Sequence, residues 1–217
     1  MLQGLLVTLE LAAASYLLGI ALSIIGAAAA LSRHAWLRRL ATAYTVLGRA
    51  IPELLIIFLI YYGGAAVLQW ILAIAGISGA LEVSSFAAGV ASLGFIVGAG
   101  GTAILRGSFL ALNRGQRDAA AALGLKPLQA FFLVLLPQAW RLAVPGFGNL
   151  WMGLLKETAL VSVIGLKDIL RVARMASGAT LEPMPFLLAT GVCYLALTAV
   201  SLAAIRHYVA RLQRHVR

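Results

Sequence analysis

The stretch that decides the fold runs from Arg114 to Asn149, RGQRDAAAALGLKPLQAFFLVLLPQAWRLAVPGFGN. Asp118 to Leu123 predicts a short helix with an alanine-rich face. Gly124 can take the left-handed conformation that ends a helix, and Pro127 suits the first turn of the next one. Pro137 is expected to break or bend the chain near the point where it enters an apolar run. The stretch therefore predicts a helix–turn–helix lying along a membrane surface, with alanines that let another protein pack closely.

On either side the sequence is apolar. Hydrophobic residues make up 62% of the 217 positions and charged residues 11%. Soluble domains carry about 25% charge, so most of this surface does not face water. Crossing the hydrocarbon takes about 20 apolar residues, and the chain holds five such runs: 5–31, 51–74, 85–105, 142–165 and 185–205. Residues 106–141 form the long polar loop between the third and fourth. The expected fold is an all-α membrane protein, a single transmembrane domain over 1–217. The N-terminal run lacks a basic leader and is too long for the core of a cleavable signal, so it reads as the first span.

Seventeen Lys and Arg against seven Asp and Glu give a net charge of +10. In a soluble chain that excess would suggest nucleic acid; here the basic residues sit between apolar runs, and no nucleic-acid partner is expected. Arg33, Arg38 and Arg39 lie in a basic loop after the first span, and Arg106, Arg117 and Lys126 in the long loop. Arg206, Arg211, Arg214 and Arg217 follow the last span. By the positive-inside rule these segments are cytoplasmic, which places the N-terminus outside and the C-terminus inside. Lys167, Arg171 and Arg174, on the expected outer side, run against the rule and are partly neutralised by Asp168 and Glu182. The basic tail also predicts contact with anionic membrane lipid.

Several chemistries are excluded or left without support. Cys193 is the sole cysteine, so no internal disulfide forms, and its place in an apolar run reads as packing. No HExxH metal motif occurs and no His lies inside a span, which removes the grounds for an intramembrane protease. His34, His207 and His215 fall in basic segments and read as solvated. Trp36, Trp70, Trp140 and Trp151 read as an interfacial aromatic belt. Gly94 and Gly98 have the spacing of a close helix contact, a weak signal in so glycine-rich a chain. Charges within spans usually face a protein interior. Those here are Glu10, Glu53, Lys156 and Glu157. For Lys156–Glu157–Thr158 two readings stand: the lining of a polar pathway, or a charge pair held by a neighbouring helix or reaching the interface. Glu53 is expected near the cytoplasmic end of its span and Glu10 near the outer end.

The long loop resembles the EAA loop of binding-protein-dependent ABC importer permeases, whose pattern is E-A-A, three residues, G, nine residues, I, one residue, L-P. Asp118-Ala119-Ala120 precede Gly124 by that interval; Val134 and Leu136-Pro137 then fall in step, with Asp for Glu and Val for Ile. The rest of the chain resembles the polar amino acid subfamily, in particular the Q-like permeases for histidine, lysine, arginine and opines. Leu6–Ala12, Arg49 with Pro52, Leu93–Ala99, Arg106–Phe109 and Pro145–Leu170 carry that likeness. Ala50, Gly100 and Ala103 depart from it.

The resemblance implies a type I importer permease that holds no cofactor of its own; the chain has no GxxxxGK[ST] phosphate loop. ATP would sit on a separate ATP-binding-cassette subunit. The other implied partners are a second, homologous permease, with a heterodimer favoured, and a solute-binding protein that delivers the amino acid. Asp118, Ala119, Ala120, Gly124, Leu136 and Pro137 are the residues implied in coupling to the ATPase. Lys156, Glu157, Thr158 and Glu53 are those considered for the pathway. Alternatives are a permease of the same class for methionine or another small solute and, more remotely, a channel or secondary carrier, which would need no such loop.

Overall fold

The first helix, α1 (Leu2–Ala30), buries a stripe of mostly small residues, Gly4, Thr8, Ala12, Ser15, Gly19, Ser23 and Gly26, with Leu11 among them. The three- and four-residue steps keep them on one face. The computed structural model describes residues 1–74, 83–113 and 115–214, so the expected connection at 76–82, with Glu82, and Arg114, His215 and Arg217 lie outside the described residues. The remaining elements are α2 (Ala35–Ala50), α3 (Glu53–Phe58), a π-helical segment Leu59–Gly63 and α4 (Gly64–Ile74). There follow α5 (Ser85–Leu110), α6 (Gly115–Ala122), α7 (Pro127–Ala130) and a second π segment, Phe131–Leu135. The chain ends with α8 (Leu136–Glu157), a 3-10 segment Thr158–Ile164, α9 (Ile169–Thr180) and α10 (Pro183–Arg214). All regular structure among the described residues is helical. Five stretches are long and apolar enough to cross a membrane: Leu2–Ala30, Glu53–Ile71, Ser85–Leu110, Pro127–Ile164 and Pro183–Leu212.

The α1 stripe packs against α5 in parallel. A Cβ at Gly94 would lie 2.7 Å from Leu18 Cδ2, one at Gly98 2.7 Å from Leu22 Cβ, and one at Gly101 2.9 Å from Ser23 Cβ. The Gly94 and Gly98 spacing thus marks a real contact. Ser23 Oγ donates to Gly19 O at 2.6 Å within its own helix and reaches Gly98 O across the seam at 3.3 Å. Back-bonding of this kind lets a hydroxyl be buried where lipid offers no partner. α8 lies antiparallel on another side of α5: Cβ atoms at Gly100 and Gly146 would meet Leu150 and Ile104 at 2.8 and 2.9 Å.

Residues 35–50, expected as part of a basic loop, form α2, and this helix packs against α5. Tyr44 Oη donates to Phe95 O at 2.9 Å, and Gly48 packs on Ala99. Phe95 and Ala99 lie near the middle of α5, which is 26 residues or about 39 Å long. The chain turns between α2 and the second crossing, at Ile51–Pro52. Pro52 cannot donate, and it forces the residue before it into an extended conformation; Ile51 has φ −86° and ψ 133°. Glu53 follows Pro52 as the first residue of α3, at one end of the second crossing, and is exposed. Pro137 does not interrupt the fourth crossing either: it sits in the first turn of α8 directly after the π segment, and helix runs from Pro127 through Ile164.

The seam generates a test. Gly98→Leu would collide with Leu22 and Tyr44 and is expected to cost about 1–3 kcal/mol, read as a lower Tm in detergent. Gly107→Ala, where a Cβ meets nothing within 4 Å, is the control and should leave Tm unchanged or raise it slightly, since Ala favours the helix over Gly.

Candidate functional site: a surface hairpin and a polar break

The hairpin is built by local chemistry. Asn113 Oδ1 accepts from Gly115 N–H at 2.9 Å and starts α6. At the other end Gly124 has φ +76°. Its N–H donates to Ala121 O, and the Leu125 N–H donates to Ala120 O, at 2.9 and 3.1 Å. This is the paired arrangement in which a left-handed glycine closes a helix. Lys126 N–H then donates to Gln129 Oε1 at 2.9 Å, with Pro127 opening α7. Gln138 Nε2 donates to Gln116 Oε1 at 3.0 Å and ties α6 to the base of α8. Phe109 stacks on Phe131 with centroids 5.7 Å apart.

Among the residues implied in coupling, Asp118, Ala119, Gly124 and Pro137 are exposed and Leu136 is half-buried, whereas Ala120 is buried. Ala120 packs the hairpin internally, so its small size serves closure of the turn. Leu123 and Leu128, 80% and 70% exposed, were not singled out in the sequence. Two large apolar side chains held in water on a rigid turn are what a protein-binding tip presents. A cavity of about 390 Å³ between the two arms, lined by Arg117, Ala121, Leu125, Pro127, Phe131 and Leu135, lies beneath it.

The polar residues of the fourth crossing are arranged unequally. Lys156 is exposed, Glu157 half-buried and Thr158 fully buried. At Thr158 the helix tightens into the 3-10 segment. Thr158 Oγ1 donates to Leu155 O at 2.7 Å and lies 3.4 Å from Tyr194 Oη of α10. Glu53, at the start of α3, is exposed and lies within electrostatic range of Glu157. The structure thus brings together two carboxylates that are 104 residues apart in the chain, each beside an interruption of regular helix. Glu10 is exposed on α1.

Trp36 and Trp70 are 61% and 67% exposed, as an aromatic belt requires. Trp140 and Trp151 instead line, with Tyr16 and Phe147, a cavity of about 630 Å³ between α1, α8 and α10. Tyr16 meets Trp151 edge-on at 5.2 Å and donates to Phe147 O at 3.0 Å. Trp151 follows Leu150, which packs on Gly100 deep within α5, so it stands away from the interface.

Sequence reasoning also missed Asp168, counted there only as a neutralising charge. It is fully buried where the 3-10 segment turns into α9. Its Oδ1 accepts from Arg171 N–H at 3.0 Å, and its Oδ2 has no partner among the described residues. Thr8 Oγ1 accepts from the next amide, Ile169 N–H, at 3.2 Å. Burial pushes the Asp168 carboxyl above its ordinary value, opposed by backbone donors and by Arg174.

This five-crossing bundle with its surface hairpin is the fold of importer permeases. It matches a crystal structure of an amino acid ABC transporter with histidines, TM-score 0.83, 28% identical, over 97% of this chain and 92% of that one. It also matches the MetNI methionine ABC transporter, TM-score 0.77, 19% identical, over 98% and 95%. The chain belongs to the family described as binding-protein-dependent transport system inner membrane component, which matches residues 19–214. Among curated relatives, the octopine transport system permease protein OccQ of Rhizobium radiobacter is 41% identical over 93% of this chain and 85% of that protein. The histidine/lysine/arginine/ornithine permease protein HisQ of Escherichia coli is 40% identical over 92% and 87%. The arginine ABC transporter permease protein ArtQ of Haemophilus influenzae is 34% identical over 98% and 93%.

The buried carboxyl of Asp168 gives a pH test. Its folded pKa exceeds the unfolded one, so the folded state holds the proton more firmly. The charge penalty is then full above the folded pKa, shrinks as pH falls through it, and is gone below the unfolded value near 3.8. Asp168→Asn keeps a capping oxygen without the charge. The variant's Tm should equal or exceed that of the wild type at pH 7, with the gap closing toward pH 4; a gap that widens on acidification would contradict the assignment.

Proposed function

We propose that this chain is the transmembrane subunit of an ATP-binding-cassette importer that carries a polar amino acid, with basic amino acids and opines as the class, across the inner membrane. The observation that carries the reading is the hairpin: a glycine-closed, apolar-tipped turn joined without a break to a membrane-crossing helix. The names of the relatives supply the substrate class. Hydrolysis belongs to a separate ATPase subunit, since this chain has no phosphate loop. A second, homologous permease completes the pathway, and a solute-binding protein delivers substrate on the outer side.

The N-terminus faces outside, and the hairpin and C-terminus face the cytoplasm. Closure of the ATPase pushes on Asp118, Ala119, Gly124, Leu123 and Leu128. Gln138 and the Phe109–Phe131 stack hold the hairpin to α8, so the displacement passes along that helix as a rigid-body movement. At its far end Glu157, Lys156 and Thr158, together with Glu53, offer polar groups to a zwitterion inside an apolar bundle, where ionised side chains are retained for such a purpose.

The decisive measurement is ATPase activity of the purified complex in lipid, with a panel of binding proteins loaded with different amino acids. Stimulation by an arginine-, histidine- or opine-loaded protein is expected; stimulation by none of the panel would sink the substrate class. Gly124→Val opposes the positive φ and should lower uptake while insertion is preserved. Glu157→Gln should lower uptake at unchanged expression; equal losses in both would make Glu157 a structural residue.

A further inference from the structure

The aromatic cavity of about 630 Å³ has α8 as its floor and α1 and α10 as its sides. On one side Tyr16 Oη of α1 donates to Phe147 O at 3.0 Å. On the other, a Cβ at Gly148 would lie 2.7 Å from Ile205 Cγ2 of α10. The groove between these contacts is lined by aromatic and aliphatic side chains and Ser201, with no charged side chain among the described residues. It is turned away from the polar break. Gly148 and Glu157 are nine residues apart on α8, which at 3.6 residues per turn sets them on opposite faces.

Two crossings fix its depth. The inner end is at Tyr16 and Trp151, whose rings meet edge-on at 5.2 Å. Tyr16 is the middle residue of α1 (Leu2–Ala30), and Gly19, one turn on, packs on Val97 at the middle of α5 (Ser85–Leu110). The inner end therefore lies near the midplane. From Trp151, Arg141 is ten residues back along α8, roughly 15 Å. On α10, Arg211 is six residues beyond Ile205, roughly 9 Å, and Ile205 starts from Gly148, itself roughly 4.5 Å below Trp151. Both arginines are exposed and both stand about half the hydrocarbon thickness from the middle, at headgroup depth. Trp140 and Tyr208, 38% and 49% exposed, flank the groove at that end. α8 holds no acid before Glu157 and α10 holds none, so the mouth is positive.

We infer that this groove holds one acyl chain of an anionic phospholipid from the leaflet on the Arg141 side, with the phosphate beside Arg141 and Arg211 and the chain reaching Tyr16 and Trp151. From mouth to inner end the groove spans half the hydrocarbon, the reach of the chains of one leaflet. Its width selects a chain over a partner helix. A volume of about 630 Å³ spread over the roughly 16 Å between Trp140 and Trp151 gives a mean cross-section of about 40 Å², half that of a helix about 10 Å across. A zwitterionic solute would leave its charges unpaired against this lining. Arg suits a phosphate because its planar donors engage two oxygens together.

Native mass spectrometry of the detergent-purified complex, titrated with phosphatidylglycerol and with phosphatidylcholine of the same chains, tests this. The wild type should retain phosphatidylglycerol preferentially. Ala204→Trp puts an indole into the groove from an exposed position and should lower retention of both lipids. Ala203→Trp adds the same bulk at an exposed position outside the lining and should lower neither. Arg141→Gln should reduce the preference for phosphatidylglycerol about five-fold, the equivalent of about 1 kcal/mol for one basic side chain at an anionic surface. Equal retention of the two lipids by the wild type would overturn the site. So would equal effects of the two tryptophan substitutions, or none from Ala204→Trp, the result expected if the second permease covers the groove. Competition by glycerol phosphate as effective as by intact lipid would reduce it to an anion contact and also overturn it. Transport is not the readout, so the result is independent of the importer assignment.

Discussion

Along the seam between α1 and α5 two backbones lie so close that side chains of one occupy the space where Cβ atoms of the other would be. Gly94, Gly98 and Gly101 accept Leu18, Leu22 and Ser23, and in lipid, where burying apolar groups gains little, such contact is the main attraction between helices. α5 also receives α8 through Gly100 and α2 through Ala99. α9 and α10 are held through α1, α8 and each other instead, and α10, few of whose apolar side chains are buried, is the least constrained by this chain.

A rigid centre permits irregularity at the edge. The chain bends at Ile51–Pro52 just before the second crossing and the fourth tightens at Thr158, and each irregularity has a carboxylate beside it. Unpaired backbone groups at such breaks would be costly against lipid but are tolerated against protein or water. Of the two carboxylates beside them, Glu53 is exposed and Glu157 half-buried.

What the sequence revealed depended on the range of the forces involved. The hairpin was legible because Gly124 and Pro127 act on their own backbone, and a left-handed residue or a fixed φ needs no tertiary context. The apolar runs were legible because the membrane imposes a length. α2 was hidden because arginines, threonines and a tyrosine interrupt its hydrophobicity, and a helix with only one buried face looks like a polar loop when averaged. Asp168 and Trp151 were hidden for another reason. An aspartate in a polar stretch and a tryptophan in an apolar one look ordinary, and only the packing of α1, α8 and α10 around them makes the first desolvated and the second central.

The π segment at Phe131–Leu135 has a consequence for register. A π turn holds one more residue than an α turn, so it advances the phase of everything after it by about one residue's rotation. Across it Ala130 and Leu135 share the face that lines the hairpin, where α geometry throughout would set residues five apart about 140° from each other. With it, the two ends of one continuous helix are indexed to different partners: Ala130 and Leu135 to the hairpin, Ala143, Phe147 and Leu154 to the bundle. The insertion works as a keyed joint, which allows a single rod to be gripped from two directions at once.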